Sequence, residues 1–451
     1  MPRFSLTIFA ALISLASLTA IHPAVAAAEF RAAASKTDIT PADLVVMWGY
    51  SDRSGPATGT HDPLYAKILL LDDGRIRLAW VTLDLGRPFG NESMNLVRDR
   101  VRKSAAVTHV CFSASHTHSG PAIDEFYKAK RPAWETAALD KIAAAIETAA
   151  TKLAPALLGT GAGSVVIGHN RRYVQPDGKV KMLWRNATKT PTHPLDPRVG
   201  VIRVDSVSGK TLAVVINYAC HPVVFGPDNL RYSADYPGAA AEVVERSFGA
   251  DCVCLFLQGA PGDINPYYDK MKLEEGAEML MRETGRQLGD EALRVAKSVV
   301  PAAPKTPEIQ VSLETRRFKP RYETAKLLEQ LRTRGVGQEF LERYRVHLAT
   351  PLDCVVTTVL INRDIAIMGM PGEPFVEFGL NFRDRAPGAT SYLAGYCNGF
   401  HGYFPTIRAA VEGGYGAEGI TARVEVGAGE AMVDMAVIRL LMMQGLLKTE
   451  P

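Results

Sequence analysis

Residues 110–121 read VCFSASHTHSGP, an apolar run of β type that ends in two histidines, His116 and His118. Side chains two positions apart project to the same side of a strand, so both imidazoles are expected on one face at its carboxyl end. The Ser-Gly-Pro that follows opens a turn, and such strand ends commonly present groups to a metal or a substrate. A surface loop that happens to hold two histidines is the alternative that this stretch alone leaves open.

On both sides of this stretch, short runs of β type alternate with helical ones. Two hairpins are predicted, one from 66–72 to 77–83 around Asp73-Gly74 and one from 201–204 to 212–219 around Ser208-Gly209. The apolar patterns predict further strands at 109–112, 252–257, 354–361 and 364–368, and helices at 93–104, 137–152, 237–248, 273–299 and 430–447. Hairpins interleaved with helices indicate an α/β fold of mixed β-sheets flanked by helices, not a purely parallel doubly wound sheet.

Length and composition restrict the class of protein. The chain has 451 residues, 47% of them hydrophobic, and a net charge of +3, and it has no basic run that would indicate nucleic acid. Residues 1–26 are predicted to be a signal peptide, because an apolar run is followed by the small residues Ala24-Val25-Ala26. We therefore expect cleavage near Ala26 and export of the mature protein to the periplasm or the medium, and an uncleaved membrane anchor is the alternative. Residues 27–451 then form one catalytic domain with a polar helical insert at about 305–350.

The cysteines do not predict a disulfide framework. Four of the six lie in apolar runs of strand type, where a thiol behaves as a small hydrophobic group. Cys354 and Cys397 are the only plausible partners that remain, and the sequence leaves their pairing open.

The arrangement of an apolar strand followed by a polar cluster recurs along the chain, at 217–222, 258–263 and 370–374. These segments carry His221, Asp263 and Glu373 beyond the ends of their predicted strands. Two histidines and one glutamate that converge from separate strands would suit a catalytic zinc ion, which takes three protein ligands and keeps a position for water. The residues by themselves predict a metal-dependent hydrolase or a metal-binding site.

The chain resembles the neutral/alkaline ceramidases, which are zinc-dependent amidases of sphingolipids. The resemblance runs through most of the mature chain and rests on the motifs at 34–41, 59–61, 116–121 (HTHSGP), 169–171 (HNR), 220–222 (CHP), 262–266 (GDINP), 371–373 (PGE) and 396–398 (YCN), with Tyr403 and Tyr415 beyond them. The motifs occur in the family's order, and together they are specific.

The resemblance implies a zinc site and a set of roles. His116, His221, Glu373 and Tyr403 should be the zinc ligands, and His118 and Arg171 should bind and polarise the scissile group, although Arg172 leaves open which arginine points inward. Tyr415, Gly259 and Asp263 should lie near the substrate. The implied reaction is cleavage of the amide bond of an N-acyl sphingosine or a related N-acyl lipid by attack of zinc-bound water.

Three departures from the family's pattern bear on the substrate. Gly259 stands where the family carries a serine, Phe400 replaces the first tyrosine of the tyrosine-rich segment, and the chain ends at Pro451 without the family's smaller C-terminal β domain. The alternatives are a metal-dependent amidase or esterase acting on another substrate, and a periplasmic binding module that has lost turnover. We expect a small-molecule or lipid substrate, transient contact with a membrane surface, and neither nucleic acid nor an obligate protein partner.

Overall fold

The centre of the protein is a pair of β-sheets packed face to face, one of eight strands and one of four. The computed structural model describes residues 2, 29–123, 131–333, 335–338, 341–342, 345, 348 and 351–448. Residues 1–26, the predicted signal peptide, lie outside the described residues except for residue 2. In the described part of the chain, no helix is both long enough and apolar enough to cross a lipid bilayer.

Strands are numbered along the chain as follows: β1 Arg31–Asp38, β2 Gly59–Thr60, β3 Tyr65–Asp72, β4 Arg77–Leu83, β5 His109–Ala114, β6 Ala154–Ser164, β7 Gly168–Asn170, β8 Arg172–Val174, β9 Val180–Met182, β10 Arg198–Ser206, β11 Thr211–Tyr218, β12 Arg231–Tyr232, β13 Val253–Gln258, β14 Ile264–Pro266, β15 Ile309–Phe318, β16 Leu352–Ile361, β17 Ile365–Gly369, β18 Glu373–Pro374, β19 Thr390–Ala394 and β20 Tyr403–Phe404. The helices are α1 Asn91–Ala105, α2 Ala133–Thr151, α3 Asp235–Phe248, α4 Ala277–Ser298, α5 Thr324–Thr333, α6 Val376–Arg385, α7 Ile407–Glu412 and α8 Ala428–Met443, with short 3-10 turns at Leu273–Glu275 and Gly419–Thr421.

Both large sheets are mixed. The eight-stranded sheet has the order β13-β11-β10-β6-β1-β3-β4-β5, and the four-stranded sheet has the order β15-β16-β17-β19. Within them, β11–β13, β4–β5 and β17–β19 are parallel, and the other neighbours are antiparallel. The predicted α/β fold of mixed sheets flanked by helices is confirmed.

The two predicted hairpins are confirmed, and local chemistry explains them. β3 pairs with β4 and β10 pairs with β11, and the glycines of their turns, Gly74 and Gly209, both have φ of 86°. Glycine adopts this left-handed conformation without a clash of Cβ. In the first turn, the Asp73 carboxylate also accepts hydrogen bonds from the backbone N–H groups of Arg75 and Ile76 at 2.8 and 2.6 Å.

Helices cover the outer faces of both sheets, so the domain has four layers. α1 and α2 cover one half of the large sheet, α3 and α4 cover the other half, and α6 and α8 cover the small sheet. Because central strands are buried on both sides, they read as continuous apolar runs. In β3, Ile68 and Leu70 face the helices, while Leu69 and Leu71 face the small sheet.

The large sheet is twisted enough for its two edge strands to approach each other. β13 and β5 stand at opposite ends of the strand order, yet they are in contact. Gln258, the last residue of β13, donates from Nε2 to the carbonyl oxygens of Ser115 and Cys220, both at 2.9 Å. The segments that follow β5, β11 and β13 therefore meet at one place.

The structure differs from two sequence-based expectations. β5 ends at Ala114, and His116 has φ of 71°, so the histidine pair lies in the loop after the strand and strand alternation does not orient it. The predicted helical insert at 305–350 begins with a strand, because residues 309–318 pair along their whole length with β16. α5 is helical within that range, and several residues between 334 and 350 lie outside the described residues.

The six cysteines, Cys354 and Cys397 included, are all buried and unpaired. The single-domain boundaries proposed from the sequence stay a prediction.

Candidate metal centre

Three side chains from separate strand ends converge at one buried point. His116 follows β5, His221 follows β11, and Glu373 begins β18, four residues beyond the end of β17. Their ligand atoms all lie within 4.8 Å of one another, and the side chains are only 1–5% exposed. Among the described residues, this is the group of histidine, cysteine and carboxylate side chains that could hold a metal ion.

Backbone carbonyls orient both imidazoles. His116 donates from Nδ1 to the Gly86 carbonyl at 2.6 Å, and His221 donates from Nδ1 to the Pro261 carbonyl at 2.6 Å. In a neutral imidazole, a proton on Nδ1 leaves Nε2 with a free lone pair. Metal-ligating histidines are held in this way, with the second nitrogen bound to a carbonyl or carboxylate.

The separations between the ligand atoms suit a small divalent cation. Glu373 Oε2 lies 3.1 Å from His221 Nε2 and 3.6 Å from His116 Nε2. Bonds of about 2.1 Å in a tetrahedron place neighbouring ligands roughly 3.4 Å apart. Two lone pairs and a carboxylate that face the same buried space repel one another, and a cation between them removes that repulsion.

Burial keeps the imidazoles neutral, which is the form that binds a metal. It lowers the pKa of His116 to about 4, against the opposing charge of Glu373. Burial, and next the charge of Arg171, lowers the pKa of His221 well below its ordinary value. Near neutral pH, no proton has to leave either ring before a metal binds.

Tyr403 stands beside this group because β18 and β20 pair in parallel, with Glu373 opposite Tyr403. The phenol oxygen lies 3.4 Å from His221 Nε2, again close to a tetrahedral edge. Burial first, and the charge of Glu373 next, raises the pKa of Tyr403 well above its ordinary value. Tyr403 would therefore ligate as a phenolate only with the help of a cation's charge.

Arg171, and not Arg172, points into the centre. Its Nη2 donates to the Tyr403 hydroxyl at 3.1 Å and to the Gly262 carbonyl at 2.6 Å, and its Nη1 donates to Asn265 Oδ1 at 3.0 Å. Burial opposes its charge, but Tyr403, Tyr415 and Glu373 together outweigh burial and raise the pKa of Arg171. Arg172 instead holds the α7 segment, through the Gly413 carbonyl and Glu412.

His118 borders the same space, and its side chain is partly buried. Its Nε2 lies 3.0 Å from His116 Nε2, while Nδ1 is buried without a hydrogen-bond partner among the described residues. Gly49 covers that Nδ1 edge so closely that an added Cβ would lie 2.4 Å from it. Burial, and next the neighbouring His116, lowers the pKa of His118 well below its ordinary value. His118 thus presents Nε2 of a neutral ring to the centre.

Aromatic side chains surround the guanidinium of Arg171 at the opening of the site. Its central carbon lies 5.2–5.5 Å from the ring centroids of Trp184, Tyr403 and Tyr415. Trp184 and Tyr415 contact each other edge to face, and they are 36% and 44% exposed. These two rings form a wall that an approaching substrate would meet.

Gly259 and Asp263 lie behind this wall. Both carboxylate oxygens of Asp263 are occupied, one by the backbone N–H of Val376 at 2.8 Å and the other by the Asn170 side chain at 2.7 Å. Burial raises the pKa of Asp263 to about 6. Asp263 therefore fixes the start of α6 and the Asn170–Arg171 segment, and Gly259 packs against Ala219. Their roles in substrate binding stay predictions, as do the roles of the other residues proposed from the sequence.

Several residues of the site carry no sequence signal that would have identified them. The Gly86 carbonyl orients His116, and Trp184 lies in a loop with no motif. Gln258 and Asn265 did have a signal, because both lie within or next to the polar cluster after β13. Only their contacts show what they do: Gln258 joins the segments after β5 and β11, and Asn265 holds Arg171.

Replacing Gly259 with serine, the residue type that the family resemblance implies at this position, is expected to destabilise the protein by about 1–3 kcal/mol. A Cβ at this position would lie 3.0 Å from Ala219 Cβ and 3.1 Å from the Tyr218 carbonyl carbon. The urea midpoint is the measurement. Gly55→Ser is the matched control, because an added Cβ there meets nothing within 4 Å. A Gly259→Ser protein as stable as that control would contradict the close packing.

Comparison with known proteins identifies the family. Residues 30–282, more than half of the chain, match the family described as neutral/alkaline non-lysosomal ceramidase, N-terminal. A solved structure of neutral ceramidase from Pseudomonas aeruginosa has a TM-score of 0.71 at 20% identity, with 94% of this chain and 75% of that chain covered. A ceramidase complexed with C2 has a TM-score of 0.72 at 18% identity, with 94% and 76% covered.

At these identities the two solved structures establish the fold, while the family rests on the match over residues 30–282. The motifs of the metal centre at His116 and His221 lie within that range, and Glu373 lies beyond it. The chain belongs to the neutral/alkaline non-lysosomal ceramidase family.

Proposed function

We propose that this protein is an exported, zinc-dependent hydrolase that cleaves the amide bond of an N-acyl sphingosine or a related N-acyl lipid. The observation that carries the proposal is the convergence of His116, His221 and Glu373, with both imidazoles locked so that Nε2 faces the carboxylate. Two histidines and a carboxylate are a common donor set for catalytic zinc. Tyr403 is the proposed fourth ligand, because its phenol oxygen borders His221.

A zinc ion bound there would supply a nucleophile by lowering the pKa of a bound water, and it would polarise the scissile carbonyl. The chain's own residues bind and orient the substrate. Arg171 is held by Asn265 and Gly262, so its charge is fixed beside the centre before the substrate arrives. A preorganised donor of this kind stabilises a developing oxyanion without reorganisation during the reaction.

His118 is placed to interact with the same group. Its ring is neutral and is held against Tyr50 at a centroid distance of 4.9 Å, with Nε2 toward the centre. A proton on Nε2 would be donated to the carbonyl oxygen of the substrate. In the other neutral tautomer, with the proton on Nδ1, Nε2 would instead take up the proton of the attacking water and pass it to the leaving amine.

An N-acyl lipid suits the opening of the site. Trp184 and Tyr415 offer apolar rings next to the charged Arg171, so a hydrocarbon chain has a surface to contact while the amide reaches the polar centre. The family and this wall support a lipid substrate. Export is proposed from residues 1–26 alone.

The test is a screen of purified, zinc-loaded protein on N-acyl sphingosines, simple N-acyl amines and carboxylic esters. We expect release of fatty acid from N-acyl sphingosine, loss of that activity on treatment with a chelator, and its return on addition of zinc. If the protein hydrolyses only simple amides or esters, the proposed sphingolipid substrate is wrong, and the protein is an amidase or esterase with another substrate. Absence of turnover on every substrate by protein that holds zinc would overturn the hydrolase and favour a binding module.

A further inference from the structure

Tyr396 has a buried hydroxyl group that the proposed reaction leaves unused. The side chain is 0% exposed, and its hydroxyl has no hydrogen-bond partner among the described residues. A buried polar group without a partner is destabilising, and most buried tyrosine hydroxyls have a hydrogen-bond partner. Tyr392, four residues earlier, is equally buried but donates to the Val201 carbonyl at 3.2 Å.

The ring of Tyr396 is held firmly against the metal centre. It is stacked on His116, with ring centroids 4.2 Å apart and planes at 15°, and Phe400 is stacked on it at 6.2 Å. Its backbone N–H donates to the Gly372 carbonyl at 2.9 Å, next to Glu373. The ring therefore has a fixed position relative to both His116 and Glu373.

The backbone at Tyr396 is strained, with φ of 49°. Bulky residues rarely adopt this left-handed conformation, which persists only where the surrounding structure enforces it. Neighbouring backbone bonds do enforce it, since Gly395 donates to the Gln258 carbonyl and Cys397 donates to the Met370 carbonyl, both at 2.9 Å. A strained residue with an unsatisfied hydroxyl, placed against a metal centre, points to a use for that hydroxyl.

Glu373 is the carboxylate of the centre that adjoins Tyr396, because the ring stacks on His116, whose Nε2 lies 3.6 Å from Glu373 Oε2. Burial raises the pKa of Tyr396 well above its ordinary value, and the negative charge of Glu373 is the next largest cause. A phenol hydroxyl carries one donor hydrogen. The Oε2 atom of Glu373 already faces His116 and His221, which leaves Oε1 as the acceptor available to a neighbouring donor.

We infer that Tyr396 is a positioning residue of the metal centre, which donates a hydrogen bond to the outer oxygen of Glu373 when a metal is bound and so holds that carboxylate in its ligating orientation. The inference rests on the proposed metal site, and on no particular substrate. A donor to a ligating carboxylate restricts its rotation and sets its basicity, and removal of such a partner commonly weakens metal binding by about 10–100-fold.

The test compares Tyr396→Phe with Tyr392→Phe in the full protein. Both substitutions remove one buried hydroxyl and keep the ring, but only Tyr396 contacts the centre. We measure the zinc dissociation constant by competition with a chromophoric chelator, and the visible absorption spectrum of the cobalt-loaded protein. Tyr396→Phe is expected to weaken zinc binding by about 10–100-fold and to shift the cobalt spectrum, while Tyr392→Phe changes neither.

Equal zinc affinity and an identical cobalt spectrum in Tyr396→Phe and the unsubstituted protein would overturn the inference, even if turnover fell. If Tyr392→Phe lost as much zinc affinity as Tyr396→Phe, the inference would also be overturned. The loss would then come from destabilisation of the fold and not from the lost hydrogen bond to Glu373. Failure of the proposed hydrolysis is a separate outcome, since zinc binding is measured without substrate. Urea unfolding of both apo variants checks that each one folds.

Discussion

Replacing His221 with asparagine is expected to weaken zinc binding by about 100- to 1000-fold and to reduce amide hydrolysis at limiting zinc by a similar factor. Zinc binding to a four-ligand site is worth about 10–16 kcal/mol, so one ligand contributes a few kcal/mol, and each 1.4 kcal/mol is a factor of ten. His221 Nε2 lies at the centre of the group, 3.1 Å from Glu373 and 3.4 Å from Tyr403.

Asparagine is chosen because its amide N–H retains a donor for the Pro261 carbonyl, which His221 Nδ1 serves at 2.6 Å. The substitution therefore removes the ligand nitrogen but keeps a hydrogen-bond donor to the Pro261 carbonyl. Alanine at the same position would leave that carbonyl without its donor as well, which mixes ligand loss with destabilisation.

Zinc affinity is measured by chelator competition and turnover by release of fatty acid. His109→Asn is the matched control, because His109 begins β5, away from the centre, and among the described residues its ring bonds only to Thr108. If His221→Asn binds zinc as tightly as the control does, the ion binds elsewhere. The assignment of His221 as a metal ligand would then be wrong.

Replacing Arg171 with lysine is expected to lower kcat by about 10²- to 10³-fold, with a much smaller change in KM and in zinc affinity. Removal of one preorganised oxyanion donor has an effect of this size. Lysine keeps the charge but is a single point donor, whereas the Arg171 guanidinium binds Asn265, Gly262 and Tyr403 at once. The remaining charge would be free to move away from the reacting group.

Steady-state kinetics on the best substrate of the screen is the measurement, with urea unfolding to monitor stability. Arg198→Lys is the matched control, because Arg198 also lies over a tyrosine ring, Tyr392, and donates to a carbonyl, that of Ser391, away from the centre. A variant with normal kcat and raised KM would assign Arg171 to ground-state binding. That result would contradict the proposed role in stabilising charge.

Features governed by neighbours in the chain were predictable from the sequence. The hairpin turns follow from Asp73-Gly74 and Ser208-Gly209, because a carboxylate that caps its own turn and a glycine with φ of 86° act within four residues. Central strands such as β3 could be predicted from their continuous apolar sequence, because both of their faces are buried. In contrast, β15 was mistaken for part of a helical insert, because its pairing partner β16 begins 34 residues after β15 ends.

The residue types of the centre were likewise visible in the sequence, since polar clusters rich in histidine, glycine and proline after apolar strands are unusual. Their orientation was not visible. Strand alternation wrongly placed His116 on a strand face, and adjacent Arg171 and Arg172 could not be told apart. In the structure their side chains diverge, one toward Tyr403 and the other toward Glu412.

The sequence by itself determined the fold class, the family resemblance and the candidate ligands, because these depend on local patterns and on residue types in order. Only the tertiary structure decided that His116, His221 and Glu373 share one buried point. That convergence depends on the twist that brings β5 to β13, on the bridge from Gln258, and on carbonyls that fix each imidazole. Contacts between residues more than a hundred positions apart arise from packing, and no local pattern encodes them.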